Sequence, residues 1–298
     1  VTKRRLKQIA AVAILILTTV LFILFFRHHP EYWRQLQSIS RWTILWVVLL
    51  NALMVVVLAG ILAATVRLCG RTIGMRDNFL LTAYSSIINF FGPLQSGPGV
   101  RAAYLKTTAQ VRLRDYTLAT LIYLGLFAAF SAFFLFAGNL PWWQTLFALL
   151  LVGGFSAYII KKFQQGDKQA NASQFTLRTE PITALVVLAF IQVLITIAWY
   201  YVELRAVNPH ISLHQAMSYA GAANFALFVS ITPDAIGIRE AFLAFSQHIH
   251  HVSTANIISA NLIDRAAYVL FLAILFVIVL VTHAKARLHI KSAAASQN

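Results

Sequence analysis

Two short stretches carry the clearest chemistry in this sequence: "GVRAAYL", residues 99–105, and "GIREAFL", residues 237–243. Each places an arginine, Arg101 or Arg239, two residues after a glycine, Gly99 or Gly237, and just past a Gly/Pro-containing break in an apolar region. A helix that starts after such a break presents unpaired N–H groups and the positive end of its dipole, equivalent to about +0.5 charge. An arginine in its first turn adds a planar guanidinium that matches phosphate or carboxylate. The pair therefore predicts an oxyanion site built from Arg101, Arg239 and the helix starts near Gly99 and Gly237.

The neighbouring polar residues leave alternatives. Glu240 follows Arg239 directly and suits pairing with either arginine, a proton-coupled carboxylate or an interfacial position. Asp234 lies inside the second break, "ITPDAIGIRE", where a helix cap is its ordinary role and charge balance the other. Asp264 and Arg265 are adjacent and so point in different directions on a helix; internal pairing with the broken segments is the expectation for both. Asn89 and Asn224 recur inside apolar helices, as headgroup ligands or as ties between helices.

Metal and nucleotide chemistry find little support. In "HIHH" only His248 and His251 share a helical face, and no clear carboxylate accompanies them, so His248, His250 and His251 are expected to form a solvated cluster. The single cysteine, Cys69, allows neither an intramolecular disulfide nor a cysteine metal cage. No GxxxxGK[ST] loop occurs, which argues against ATP-driven work by this chain alone. "NAS", 171–173, has the form of a glycosylation acceptor but falls on the expected cytoplasmic side. No cofactor, metal or catalytic residue is assigned.

The elements that must position these groups are membrane helices. Of 298 residues, 59% are hydrophobic and 11% charged, and several apolar runs reach the roughly 20 residues that cross a bilayer core. The reading is an all-α polytopic membrane protein, one integral membrane domain over 1–298. It has about six full transmembrane helices, near 9–26, 43–66, 117–137, 142–160, 181–202 and 256–281. The first run is followed by "RHHPEYW", which has no small-residue cleavage site, so it is expected to be a span and not a signal peptide.

Charge sets the orientation. Most of the 24 Lys and Arg fall on one side of these spans, in "KRRLK", "RLCGRTIGMR", Lys106, Arg112, Arg114, "KKFQQGDKQANASQFTLR" and "HAKARLHIK". The positive-inside rule makes that side cytoplasmic, with both termini there. The net charge of +15 then reflects orientation and contact with anionic headgroups, and nucleic-acid binding is not expected.

Two segments do not fit this count of full spans. Residues 78–91 make a helix of about 21 Å, short of the roughly 30 Å core, and 214–229 is similar. Each is followed by its break and a second short segment, a broken helical hairpin that either re-enters or crosses twice. The segments are related: "YSSIINF", 84–90, matches "YAGAANF", 219–225, at Tyr, Asn and Phe, and the two arginine stretches follow with a short insertion at the second break. Repeat 1, about 43–137, thus maps onto repeat 2, about 181–281, with 9–26 and 142–160 as extra spans. Three full spans separate equivalent starting points, so the copies are inverted, a plan common in secondary transporters. Irregular backbone at membrane depth needs protein or a watery cavity around it, which predicts that the two breaks meet at a central site.

The motifs "GPGVRAAYL" and "PDAIGIRE" resemble those of the lysylphosphatidylglycerol synthase transmembrane-region family, the flippase-like integral membrane proteins. The resemblance runs from about 9 to 285. Gly97 and Arg101 match the first motif; Pro233, Ile236, Gly237, Arg239 and Glu240 match the second. Pro98 stands where relatives often have an acidic residue, and Asp234 with Ala235 replace a Gly pair, so the charge balance implied by the family does not transfer directly. In two-domain members a soluble domain joins the amino acid to phosphatidylglycerol, and the membrane domain is implied to move the product between leaflets. This sequence ends at "KSAAASQN" with no such domain, so aminoacyl transfer is not expected of it.

The resemblance and the residues together imply a flippase-like transporter of the cell inner membrane that moves an anionic phospholipid or lipid-linked glycan between leaflets. Arg101 and Arg239 would hold the phosphate, while Glu240 and Asp264 balance charge in the empty site. Two rivals remain: a membrane-embedded enzyme acting on a lipid headgroup with Glu240 or Asp264 as base, and a scaffold or homo-oligomeric partner for envelope-synthesis enzymes.

Overall fold

The computed structural model describes residues 39–91, 96–136, 179–228 and 238–295, the last helix as backbone only beyond 282, together with isolated positions in the N-terminal segment and between 143 and 175. The spans expected at 9–26 and 142–160 lie almost entirely outside the described residues, as do Asp234 and Gly237.

The described chain is helical: α1 (Arg41–Leu68), α2 (Met75–Phe91), α3 (Gly97–Thr108), α4 (Leu113–Phe136), α5 (Thr179–Val207), α6 (Leu213–Phe228), α7 (Ile238–Phe245), the one-turn α8 (Gln247–His250) and α9 (Thr254–Ala295). Among the described residues, four segments are long and apolar enough to cross a membrane: α1, α4, α5 and Thr254–Thr282 of α9. These coincide with four of the expected spans. At 28 residues α1 extends about 42 Å, whereas α3, with 12, reaches only about 18 Å.

Local chemistry explains where the helices stop and start. Cys69 ends α1, and Gly70 follows at φ 67°, the left-handed conformation a side chain disfavours. Gly70 N–H donates to Arg67 O (3.0 Å) and Arg71 N–H to Val66 O (3.2 Å), a Schellman closure of the last turn. Ser212 and Gln215 open α6 with a reciprocal capping box: the Gln215 N–H donates to Ser212 Oγ (3.2 Å), and the Ser212 N–H to Gln215 Oε1 (3.0 Å).

The frame is an antiparallel pair, α1 on α5. Gly60 lies at their seam, where an added Cβ would stand 3.1 Å from Leu188 Cδ1, and Arg67 at the end of α1 pairs with Glu180 at the start of α5 (2.7 Å). Around it, α2 packs on α1, α3 and α9, while α6 packs on α5, α7 and α4; α3 also touches α4, and α7 touches α9. On the outer face of α1, Trp42, Leu45, Trp46, Leu49 and Leu53 are exposed. Tryptophans near a span end suit the membrane–water boundary, and the aliphatic residues suit acyl chains.

The "HIHH" segment differs from expectation. His248 and His251 are exposed, but His250 is buried under α6, its ring edge-on to Tyr219 at 5.3 Å. Val252 N–H donates to His250 Nδ1 (3.1 Å), so the proton sits on Nε2, which donates to Leu243 O (2.9 Å). Burial, with the neighbouring His251 and His248, lowers the His250 pKa below its usual 6.5 against the raising effect of the Leu243 bond. A lowered folded value means the unfolded chain binds the proton more tightly, so this ring's contribution is intact above about pH 6.5 and fades as pH falls through the folded value. Between pH 7.5 and pH 5 the wild type is expected to lose more melting temperature than His250→Gln; equal losses would dismiss the neutral ring as a stabilising group.

Candidate functional site

A cavity of about 360 Å³ opens between the first broken hairpin and the helices around it, lined from α1 to α5 with Leu227 of α6 and Tyr268 of α9. The start of α3 forms one wall, with Gly97, Pro98 and Arg101 facing it. The Arg101 Nε is buried with no hydrogen-bond partner. Among the described residues Arg101 also takes part in no ion pair. Tyr116 and Tyr123 of α4 line the same cavity, and Tyr123 donates to Gln192 Oε1 on α5 (2.9 Å).

The hairpin holds this wall in place through Asn89 and Gly97. Asn89 Oδ1 accepts the Gly97 N–H (3.3 Å), which ties the last turn of α2 to the first of α3. A Cβ on Gly97 would stand 2.8 Å from Ser85 O and 3.2 Å from Asn89 Oδ1, so only glycine allows the two helices to approach this closely. Helix α3 therefore begins at Gly97, not near Gly99, which is exposed with open space where its Cβ would be.

The second arginine sits in different surroundings. Arg239, 6% exposed, forms an ion pair with Asp264 of α9 and donates through Nη1 to Tyr200 Oη on α5 (3.4 Å). One step along each helix, Arg265 pairs with Glu240 at 2.5 Å. Adjacent residues on α7 and adjacent residues on α9 thus make two crossed pairs, with Asp264 and Arg265 both about 5% exposed or less. Arg239 does not line the cavity of Arg101. Asn224 donates to Ser131 Oγ on α4 (3.1 Å), a buried tie between helices.

A family model described as the lysylphosphatidylglycerol synthase TM region matches residues 8–275. The chain belongs to this family. No curated protein sequence matches it. As a member of the lysylphosphatidylglycerol synthase TM region family with, among the described residues, four helices long and apolar enough to cross a membrane, it is a multi-pass membrane protein of lipid metabolism or transport.

Several residues of this family member's site were not singled out from sequence. Gln192, alone among apolar neighbours in "LAFIQVLITIA", and Glu203, in "WYYVELRAV", are polar residues within a span. Intramembrane polar groups are costly enough to signal a site by themselves. Tyr116, Tyr123, Tyr200 and Tyr219 gave no such signal, because tyrosine is equally at home at an interface. Among the described residues no group of three or more His, Cys, Asp or Glu gathers as a metal site. What the cavity offers is a guanidinium, phenols and amides around a helix N-terminus, a set suited to holding an oxyanion.

Proposed function

We propose that the chain transports an anionic phospholipid or lipid-linked glycan between the leaflets of the inner membrane, with the headgroup phosphate held by Arg101. One observation carries this reading: a guanidinium without a carboxylate partner among the described residues, opening on a cavity of about 360 Å³ at the start of α3. Charge in such surroundings is costly without a counterion, and a phosphate supplies one. The volume suits a headgroup, with the acyl chains remaining in the bilayer.

The packing supports the inverted-repeat plan. Equating α1, α2, α3 and α4 with α5, α6, α7 and α9 turns α1·α2 into α5·α6, α2·α3 into α6·α7, α3·α4 into α7·α9, and α2·α9 into α6·α4, and each pair is in contact. The end of the bundle that holds Arg67, Arg71 and Lys106 is then cytoplasmic, as are both termini. The two arginines divide the work. Arg101 takes the cargo, while Arg239, with Asp264, Glu240 and Arg265, fastens the second hairpin to α9 and is remade as the repeats rock.

The test is leaflet redistribution of labelled anionic and zwitterionic lipids in proteoliposomes. Arg101→Ala is expected to slow movement of the anionic lipid by at least about tenfold, the value of one charge-assisted contact. Arg101→Ala protein that remains monodisperse and moves anionic lipid at the wild-type rate would remove Arg101 from the site.

A further inference from the structure

The crossed pairs account for Arg239, Asp264, Arg265 and Glu240, but a third carboxylate lies beside them. Glu203 of α5 is 0% exposed. Its Oε1 accepts the indole N–H of Trp199, one turn earlier on the same helix, and its Oε2 is buried with no partner. Among the described residues this cluster therefore sets three carboxylates against two guanidiniums.

The groups facing Glu203 come from every neighbouring side. Helix α9 contributes Asp264, α7 contributes Arg239, and α6 contributes the Tyr219 phenol. Helices α1 and α4 carry charge only towards their ends, at Arg41 and Arg67 and at Arg114 and Asp115. Neither cation of this set forms a salt bridge with Glu203: Arg239 is engaged directly by Asp264 and Arg265 by Glu240, so Arg239 acts on Glu203 only from a distance. An ionised carboxylate here would add a second negative charge beside Asp264 with a single N–H donor to hold it. A carboxylic acid asks far less of the same surroundings, because burying a neutral hydroxyl is much cheaper than burying a charge.

We propose that Glu203 is a proton-binding site, protonated on Oε2 in this conformation, whose proton is exchanged during the transport cycle. The exchange rests on the transport reading above; the protonation does not. When the O–H bond of Glu203 breaks and the proton passes to water, the carboxylate left behind competes with Asp264 for Arg239, which loosens the second hairpin from α9. Aromatic rings connect this site to the rim of the cargo cavity. Trp199, the donor to Glu203, lies with its ring centroid 6.3 Å from that of Tyr268, and Tyr268 lines the Arg101 cavity one turn beyond Asp264. An anion seated at Arg101 would thus share its cavity with Tyr268, the ring packed on the donor to Glu203.

The full chain in lipid nanodiscs is examined by infrared spectroscopy at neutral pH. The expected result is a C=O stretch of a protonated carboxyl group that disappears in Glu203→Gln, keeps its intensity in Glu240→Gln, and returns shifted in Glu203→Asp. In proteoliposomes a gradient of one pH unit is then expected to bias the leaflet ratio of anionic lipid by up to about tenfold per coupled proton, and Glu203→Gln to abolish the bias. Absence of the band, or its persistence in Glu203→Gln, overturns the proton site. A band that behaves as expected beside a lipid ratio blind to the gradient makes the proton structural and overturns the exchange. Wild-type protein that moves no lipid removes the transport reading and the exchange with it, while the band still decides the protonation.

Discussion

Asp264→Ala is expected to destabilise the folded protein by about 3–5 kcal/mol, the range for removing one partner of a buried ion pair. Arg239 is 6% exposed and Asp264 4%, so neither charge has water to fall back on. Without the Asp264 carboxylate the guanidinium keeps its bond to the Tyr200 hydroxyl (3.4 Å), a dipole that does not replace the lost charge. The double variant Arg239→Met/Asp264→Leu is expected to recover most of the loss, because two apolar groups of similar volume need no partner. The measurement is a double-mutant cycle on the temperature at which half of the protein remains monodisperse. A cycle with independent single effects would mean that the two charges do not depend on each other, and that the second hairpin is fastened elsewhere.

Gly221→Ala carries the second large effect. An added Cβ would stand 2.7 Å from the backbone N, the Cα and the Cβ of Leu135 on α4, closer than real Cβ contacts come. The obstacle is mainly backbone, which no rotamer change can clear, so α6 must lift from α4. The overpacking cost, about 1–3 kcal/mol, outweighs the gain of up to about 1 kcal/mol from replacing glycine within a helix. The same displacement loosens the Asn224–Ser131 hydrogen bond on the same seam. Gly99→Ala is the internal control: nothing lies within 4 Å of its Cβ position, so only the helical gain applies and the protein should be neutral or slightly more stable. If both variants melt alike, α4 and α6 are not in the contact described.

These two glycines show what one sequence can and cannot disclose. The four membrane-crossing helices are visible as apolar runs, since the bilayer imposes length and composition on every span. The breaks are visible too, because Gly and Pro interrupt an otherwise regular pattern. Which glycine a break requires is not. Gly97 and Gly99 are two residues apart in "GPGVR", and only the approach of Ser85 O and Asn89 to one of them separates their roles. Depth is equally hidden. Glu203 lies near the end of an apolar run, where interfacial residues are common, yet it is 0% exposed. His250 reads as one of three polar neighbours, but its burial depends on how a one-turn helix tucks beneath Tyr219. In each case the deciding quantity is a contact between elements distant in the chain, and such contacts leave no local trace in composition or periodicity.

The tie between Asn89 and Gly97 has a consequence for what the cavity prefers. The Asn89 carbonyl oxygen is engaged by a backbone N–H, as the Gln192 oxygen is by Tyr123, so what these two cavity-lining amides have left to offer a ligand is their NH₂ donors. Together with the Arg101 guanidinium, they make an environment that discriminates by the sign of a headgroup more than by its shape. A phosphate or carboxylate brings lone pairs to every one of these hydrogens, whereas an ammonium arrives with hydrogens of its own and a repelling charge. If the cavity holds a headgroup as proposed, lipids whose outermost group is cationic would be the poorest fit, and membrane valence, read one headgroup at a time, would be the property it sorts.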